Sequence, residues 1–148
     1  MNMRAHVAIL GDMMQTVSTP TLADILRLQD AMLQKPQADL PVEHNFLPGQ
    51  YVRTLRMPAG SMVVGKRHRH RHLLIVTGDV TLRTKEGMVE LRGTHVIDSL
   101  PGMKRAIYAH ADSVLITTHL TDETDLEKIE AYVIMPDDAA LEIEGETK

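Results

Sequence analysis

The chain has 148 residues, 43% hydrophobic and 24% charged, with a formal net charge of −4 and no cysteine. These values predict one soluble globular domain with a core, and the lack of cysteine excludes disulfides and thiolate metal ligands. Nucleic-acid binding is disfavoured as well, because the chain is mildly acidic and has no tryptophan and a single phenylalanine.

The N-terminal region, residues 1–47, is predicted to be an arm that carries one helix. Its only early apolar run, residues 7–10, is too short for the core of a secretory leader or for a membrane span. We therefore expect a cytoplasmic protein with no membrane partner. The apolar spacing of residues 21–33 predicts the helix, and the proline-containing stretch that follows is predicted to be extended and irregular.

From residue 48 to residue 120, short apolar segments alternate with glycine-containing turns. Gly78-Asp79, Glu86-Gly87 and Pro101-Gly102 are predicted to be turns between such strands. About eight short strands separated in this way indicate an all-β sandwich or barrel. Residues 121–148 are predicted to form a helix over 124–134, followed by an acidic tail.

The segment GKRHRHRHLLIVTG, residues 65–78, is chemically the most distinctive part of the chain. Alternate residues of a strand share one face, so Lys66, His68, His70 and His72 are expected to point the same way. Clustered imidazoles are typical of a divalent metal site, whereas lysine beside histidine suits an anion. A solvated edge strand is the third interpretation.

The histidine cluster ahead of IVTGDVTL, followed by SLPGMKRAIYA, resembles the two motifs of the RmlC-like cupin superfamily over residues 48–120. The resemblance implies an all-β fold: a small cupin jelly-roll barrel with one N-terminal and one C-terminal helix packed outside it. The flanking segments DLPVEHNFLPGQYVRTLRMPAGSMVVGK and THLTDETDLEKIE are similar to small cupin proteins encoded by bacteriophages. That similarity implies a phage accessory factor acting in the host cytoplasm.

In cupins, two histidines and a glutamate of the first motif and a histidine of the second hold a divalent metal inside the barrel. Alignment from Gly78 places His72 in the glutamate position, His68 in the second histidine position and Lys66 in the first. Arg105 takes the place of the second-motif histidine. A guanidinium repels a metal ion and offers a planar fork for carboxylate or phosphate.

The sequence therefore predicts a cupin-type protein that binds a small anionic molecule in its barrel. The predicted ligand-binding residues are Lys66, His68, His70, His72, Arg105, His44 and Tyr108. A metal-dependent isomerase, dioxygenase or lyase is one alternative, with Zn, Ni, Fe or Mn held by His68, His70 and His72 and with His44 or His119 as further ligands. A protein-interaction module with an unused pocket is the other. Exposed sheet edges, which small cupins commonly pair, predict a homodimer.

Overall fold

The computed structural model describes residues 21–137, and the short N-terminal apolar run and the acidic tail lie outside them. This part of the chain contains two helices and nine strands. In chain order they are α1 (Leu22–Leu33), β1 (Val42–Leu47), β2 (Gln50–Met57), β3 (Met62–Val64), β4 (Arg67–His68), β5 (His72–Thr84), β6 (Gly87–Ser99), β7 (Ala106–Ala109), β8 (Ser113–Leu120), α2 (Leu126–Val133) and β9 (Ile134–Met135).

Seven of these strands form one curled antiparallel sheet. Its order is β1-β2-β8-β5-β7-β3, and β6 pairs with β5 along its whole length. Residues 73–77 of β5 pair with β8, and residues 80–83 pair with β7, so the long β5–β6 hairpin crosses from one half of the sheet to the other. This architecture confirms the predicted all-β jelly-roll barrel with two helices outside it.

The β5–β6 hairpin differs from the predicted series of short strands. Gly78-Asp79 was expected to be a turn between two short strands, but it lies inside β5. Strands β5 and β6 have 13 residues each. Gly78 has a φ of +141° and is opposite Gly93, whose φ is +84°. Backbone of this kind favours glycine, so the ribbon bends here while its pairing continues.

Strand β1 lies in a segment that was predicted to be irregular because of its prolines. In the structure Pro41 and Pro48 flank Val42–Leu47 and do not interrupt it, and all six residues pair with β2. The barrel sheet therefore begins before residue 48.

The hydrophobic core lies between the two halves of the curled sheet. Its buried members are Leu55, Met57, Leu74, Val76, Val80, Leu82, Val89, Leu91, Ile97, Ile107, Ala109 and Leu115. At one end, α2 packs Ile129 and Val133 against Tyr51. Within residues 21–137, neither helix has the length and apolar content that crossing a bilayer requires.

Candidate functional site

The concave face of the sheet and helix α2 enclose a cavity of about 470 Å³. Strand register sets its polarity, because alternate residues of β2 and β8 face inwards and lie opposite one another. From one end of the cavity to the other, the facing pairs are Tyr51 with His119, Arg53 with Thr117, and Leu55 with Leu115. The cavity is therefore polar and ring-lined at one end and apolar at the other.

Three histidines meet at the polar end. The ring centroids are 4.3 Å apart for His68 and His72, 5.1 Å for His68 and His119, and 4.8 Å for His72 and His119. Burial, helped by neighbouring imidazoles and arginines, lowers the pKa of His68 to about 3 and that of His119 to about 4. Burial also lowers the pKa of His72. All three rings are therefore neutral at pH 7.

The protonation of His72 follows from its contact with the backbone. Its Nδ1 lies 3.1 Å from the carbonyl oxygen of His70, and a carbonyl oxygen only accepts, so Nδ1 carries the proton. Its Nε2 is then the bare nitrogen, and it is buried with no hydrogen-bond partner among residues 21–137. His72 thus presents an unshared imidazole lone pair to the cavity.

Arg105 brings a positive charge to the same end of the cavity. Its Nη2 donates to Ser99 Oγ over 2.8 Å, and burial lowers the pKa of its guanidinium. Its charge also helps to lower the pKa of His68 and of His72, which places the guanidinium beside these rings. No carboxylate in the described part of the chain forms an ion pair with it.

The charges that line the cavity do not balance. Among the residues described, three cations (Arg53, Lys66 and Arg105) face a single carboxylate, that of Glu130. Glu130 is already paired with Lys66 across the gap between α2 and the chain before β4. With His68, His72 and His119 neutral, the lining therefore carries an excess of positive charge.

Tyr51 connects the histidine cluster to strand β1. Its hydroxyl lies 2.7 Å from His44 Nδ1, and its ring stacks on Phe46 and on His119, with centroids 5.5 Å and 5.9 Å away. Burial raises the pKa of this tyrosine, which therefore stays protonated at neutral pH. The sequence analysis did not single out Tyr51 or Arg53 as ligand-binding residues.

Five of the seven predicted ligand-binding residues line the cavity: His44, Lys66, His68, His72 and Arg105. The prediction is wrong in placing His70 and Tyr108 with them. His70 is exposed and lies against Tyr132 of α2, with ring centroids 4.6 Å apart, because the chain bends at residues 69–70 and interrupts the alternation. Tyr108 contacts His110 edge-on. Its neighbour Ile107 lines the cavity, so Tyr108 lies on the opposite face of β7 and points away from the cavity.

The residues present do not reproduce the metal-binding set of cupins. In the predicted motif alignment, His72 stands in the carboxylate position and Arg105 in that of the second-motif histidine. Within residues 21–137, no group of three histidine, aspartate or glutamate side chains has the arrangement of a metal site. The predicted set of His68, His70 and His72 is not brought together, because His70 lies outside the cavity.

No family model and no curated protein matches this chain. Among solved structures, a cupin superfamily protein from Desulfitobacterium hafniense DCB-2 is 12% identical over 62% of this chain and 86% of its own, with a TM-score of 0.49. A double-stranded β-helix protein from Klebsiella pneumoniae is 10% identical over 62% and 85%, also with a TM-score of 0.49. KdgF from Halomonas sp. is 13% identical over 72% and 90%, with a TM-score of 0.48. The similarity is one of fold.

Proposed function

We propose that the protein binds a small anionic molecule in its barrel cavity and that Arg105 is the residue that binds the charge. The observation that carries this proposal is a half-buried guanidinium whose hydrogen-bond partner among residues 21–137 is a neutral hydroxyl, that of Ser99. A buried charge is costly unless it is paired, so such a site favours a ligand of opposite charge.

Carboxylate and phosphate match this site chemically. Both accept two parallel N–H bonds from a guanidinium, and such charge-assisted bonds are stronger than those between neutral groups. The neutral rings of His68 and His119 each have one N–H to donate, and Arg53 adds positive charge one row deeper in the cavity. No chemical step is needed to account for these features, so we propose a binding protein.

Arg105→Gln should weaken binding of a carboxylate or phosphate by about 10- to 1,000-fold, because a desolvated bidentate contact is lost. Titration calorimetry with acetate, benzoate and inorganic phosphate measures the loss. Arg71→Gln is the matched control, because Arg71 is exposed on the same basic segment and pairs with Asp98 outside the cavity. Equal affinities for wild type and Arg105→Gln, or equal losses in the two variants, would refute the proposal.

Metal binding by His68, His72 and His119 is the second candidate, although these three rings do not have the arrangement of a metal site in this structure. One observation favours it: His72 donates Nδ1–H to a backbone carbonyl and leaves a bare, buried Nε2, as metal-ligating histidines commonly do. Such a site would suit Zn, Ni, Fe or Mn and would open the way to a cupin enzyme. Arg105 and Arg53 oppose it, because their charges repel a cation.

Metal analysis of untagged protein prepared without a nickel column separates the two candidates. One metal per chain, lost in His68→Ala/His72→Ala, would replace the anion proposal by the metal one. Because the pKa values of His68 and His119 are about 3 and 4, protons would compete with the metal at these two rings only in acidic solution.

We further propose a homodimer joined at the β1 edge of the sheet. Strand β1 ends the sheet order, and its Phe46 and Leu47 are 40% and 52% exposed. At the same end of the sheet, two strands away, Leu120 of β8 is 85% exposed. Two copies of β1 paired about a two-fold axis would satisfy the open backbone groups and cover these side chains.

Light scattering at tens of micromolar should give twice the chain mass, and Leu47→Lys/Leu120→Lys should give a single-chain mass. Val96→Lys is the control, because Val96 is 51% exposed on β6, which does not neighbour β1. A wild-type monomer would contradict the dimer. An accessory role in a bacteriophage, or a role as an interaction module, stays a prediction from the sequence.

A further inference from the structure

We infer that the ligand is amphiphilic, with an anionic head at Arg105 and an apolar body that extends towards Leu55 and Leu115. This inference rests on the proposed anion binding and adds the chemical class of the rest of the molecule. It comes from the way polarity changes with depth along the walls of the cavity.

Two neighbouring strands, β2 and β8, change from polar to apolar towards the same end of the cavity. On β2 the inward residues run from Tyr51 through Arg53 to Leu55, and on β8 they run from His119 through Thr117 to Leu115. These two strands are antiparallel, and their register brings the two polar ends together and the two leucines together. The change from polar to apolar side chains therefore runs along the whole wall that β2 and β8 form together, and is not confined to one strand.

Two further strands add the same change. On β5, His72 is followed two residues later by Leu74, and Arg105 is followed two residues later by Ile107 of β7. Leu74, Ile107, Leu55 and Leu115 all belong to the buried core cluster. The floor of the cavity is thus formed by side chains that have no hydrogen-bonding group.

The size of the cavity supports a ligand larger than its charged group. At roughly 30 Å³ for each water-sized group, a cavity of about 470 Å³ holds about 15 non-hydrogen atoms. Acetate or inorganic phosphate would fill less than half of this space and would leave the leucine floor against water. A straight chain of roughly eight carbons with a charged head fits both the volume and the gradient.

The same floor disfavours polyhydroxylated anions such as sugar acids. Each hydroxyl buried against Leu55, Leu115 or Ile107 would lose its hydrogen bonds to water and find no partner there. An apolar body, in contrast, gains affinity in proportion to the area that it buries. The gradient thus selects a carboxylate or a phosphomonoester with an alkyl or similar apolar body.

Titration calorimetry with butanoate, hexanoate, octanoate, octyl phosphate and octanol tests the inference on the wild-type protein. Each added methylene should tighten binding about four-fold as far as octanoate. The comparison of octanoate with octyl phosphate identifies the preferred anionic head. Octanol, which has no charge, should bind at least ten-fold more weakly than whichever of these two anions binds more tightly. Val63→Phe, which enlarges a half-buried side chain of the lining, should weaken octanoate binding more than butanoate binding.

The outcomes separate this inference from the proposal on which it rests. Anion binding that depends on Arg105 but does not strengthen with chain length would overturn the amphiphilic ligand and leave the anion site intact. Octanol binding as tightly as octanoate and octyl phosphate would overturn the anion site. A four-fold gain per methylene that persists in Arg105→Gln, at lower overall affinity, is the result that supports both.

Discussion

Lowering the pH from 7 to 5 is expected to reduce the free energy of unfolding by about 4 kcal/mol, with about 2 kcal/mol from each of two histidines. The pKa of His68 is about 3 and that of His119 about 4 in the folded protein, against an ordinary value of 6.5. Between pH 6.5 and pH 4 the unfolded chain therefore takes up protons at both rings that the folded chain does not. Stability is full above this window and falls as the pH falls through it.

Urea unfolding at pH 7, 6 and 5 measures this slope. His68→Gln/His119→Gln should reduce it by about 4 kcal/mol over this range, because the variant has no titrating group at either position, whereas His72, whose pKa burial also lowers, keeps its own contribution to the slope. His110→Gln, at an exposed histidine, should keep the wild-type slope. The carboxylates of Asp24 and Asp98 have a pKa below their ordinary value of 3.8, and those of Glu123 and Glu130 have a pKa below their ordinary value of 4.5, so all four reduce stability only near and below the acidic end of this window. A wild-type stability that is equal at pH 7 and pH 5 would show that the cluster is not desolvated.

The fold was predictable to the extent that it depends on local signals. The apolar spacing that predicted helices over 21–33 and 124–134 corresponds to Leu22–Leu33 and Leu126–Val133 in the structure. Gly78 and the pair Pro101-Gly102 were recognised as breaks in extended structure, but a glycine can also bend a strand that continues. The choice between a turn and a bend depends on β6, β7 and β8, which pair with β5 from distant parts of the sequence.

The site was predictable where the alternation of a strand held. His68, His72 and Arg105 were predicted from the motif resemblance, and all three line the cavity. His70 was misplaced because strict alternation needs a continuous strand, and residues 69–70 form a bend between β4 and β5.

The rest of the site depends on strand pairing that the sequence does not show. Tyr51 and His119 become neighbours only through the register of β2 with β8. The sequence also left open which arginine of β2 faces inwards. The structure shows that Arg53 lines the cavity, while Arg56 points outwards and pairs with Glu43 at 3.0 Å. Without that register, Arg53 could not be distinguished from a surface residue.

Gly78→Ala is expected to destabilise the protein by about 3 kcal/mol or more, which is a large effect for a single added methyl group. A Cβ at this position would lie 2.2 Å from Ser113 Oγ, 2.6 Å from its Cβ and 2.8 Å from its Cα. Rotating the hydroxyl away would break its contacts with the backbone of Asp79 and Ala111 and would not relieve the other two clashes. Relief therefore requires β5 and β8 to move apart.

Gly87→Ala is the matched control for this effect. Its φ of +130° is close to the +141° of Gly78, but a Cβ there meets nothing within 4 Å, so the variant reports backbone strain alone, about 1–2 kcal/mol. Gly78→Ala/Ser113→Gly should recover part of the loss, because it removes the Cβ and Oγ of Ser113 but keeps the Cα. Urea unfolding of the three variants measures these differences, and equal losses in Gly78→Ala and Gly87→Ala would show that the contact is not tight.

Because β5 carries His72 and β8 carries His119, separating the two strands should also weaken anion binding, whereas Gly87→Ala should leave it unchanged.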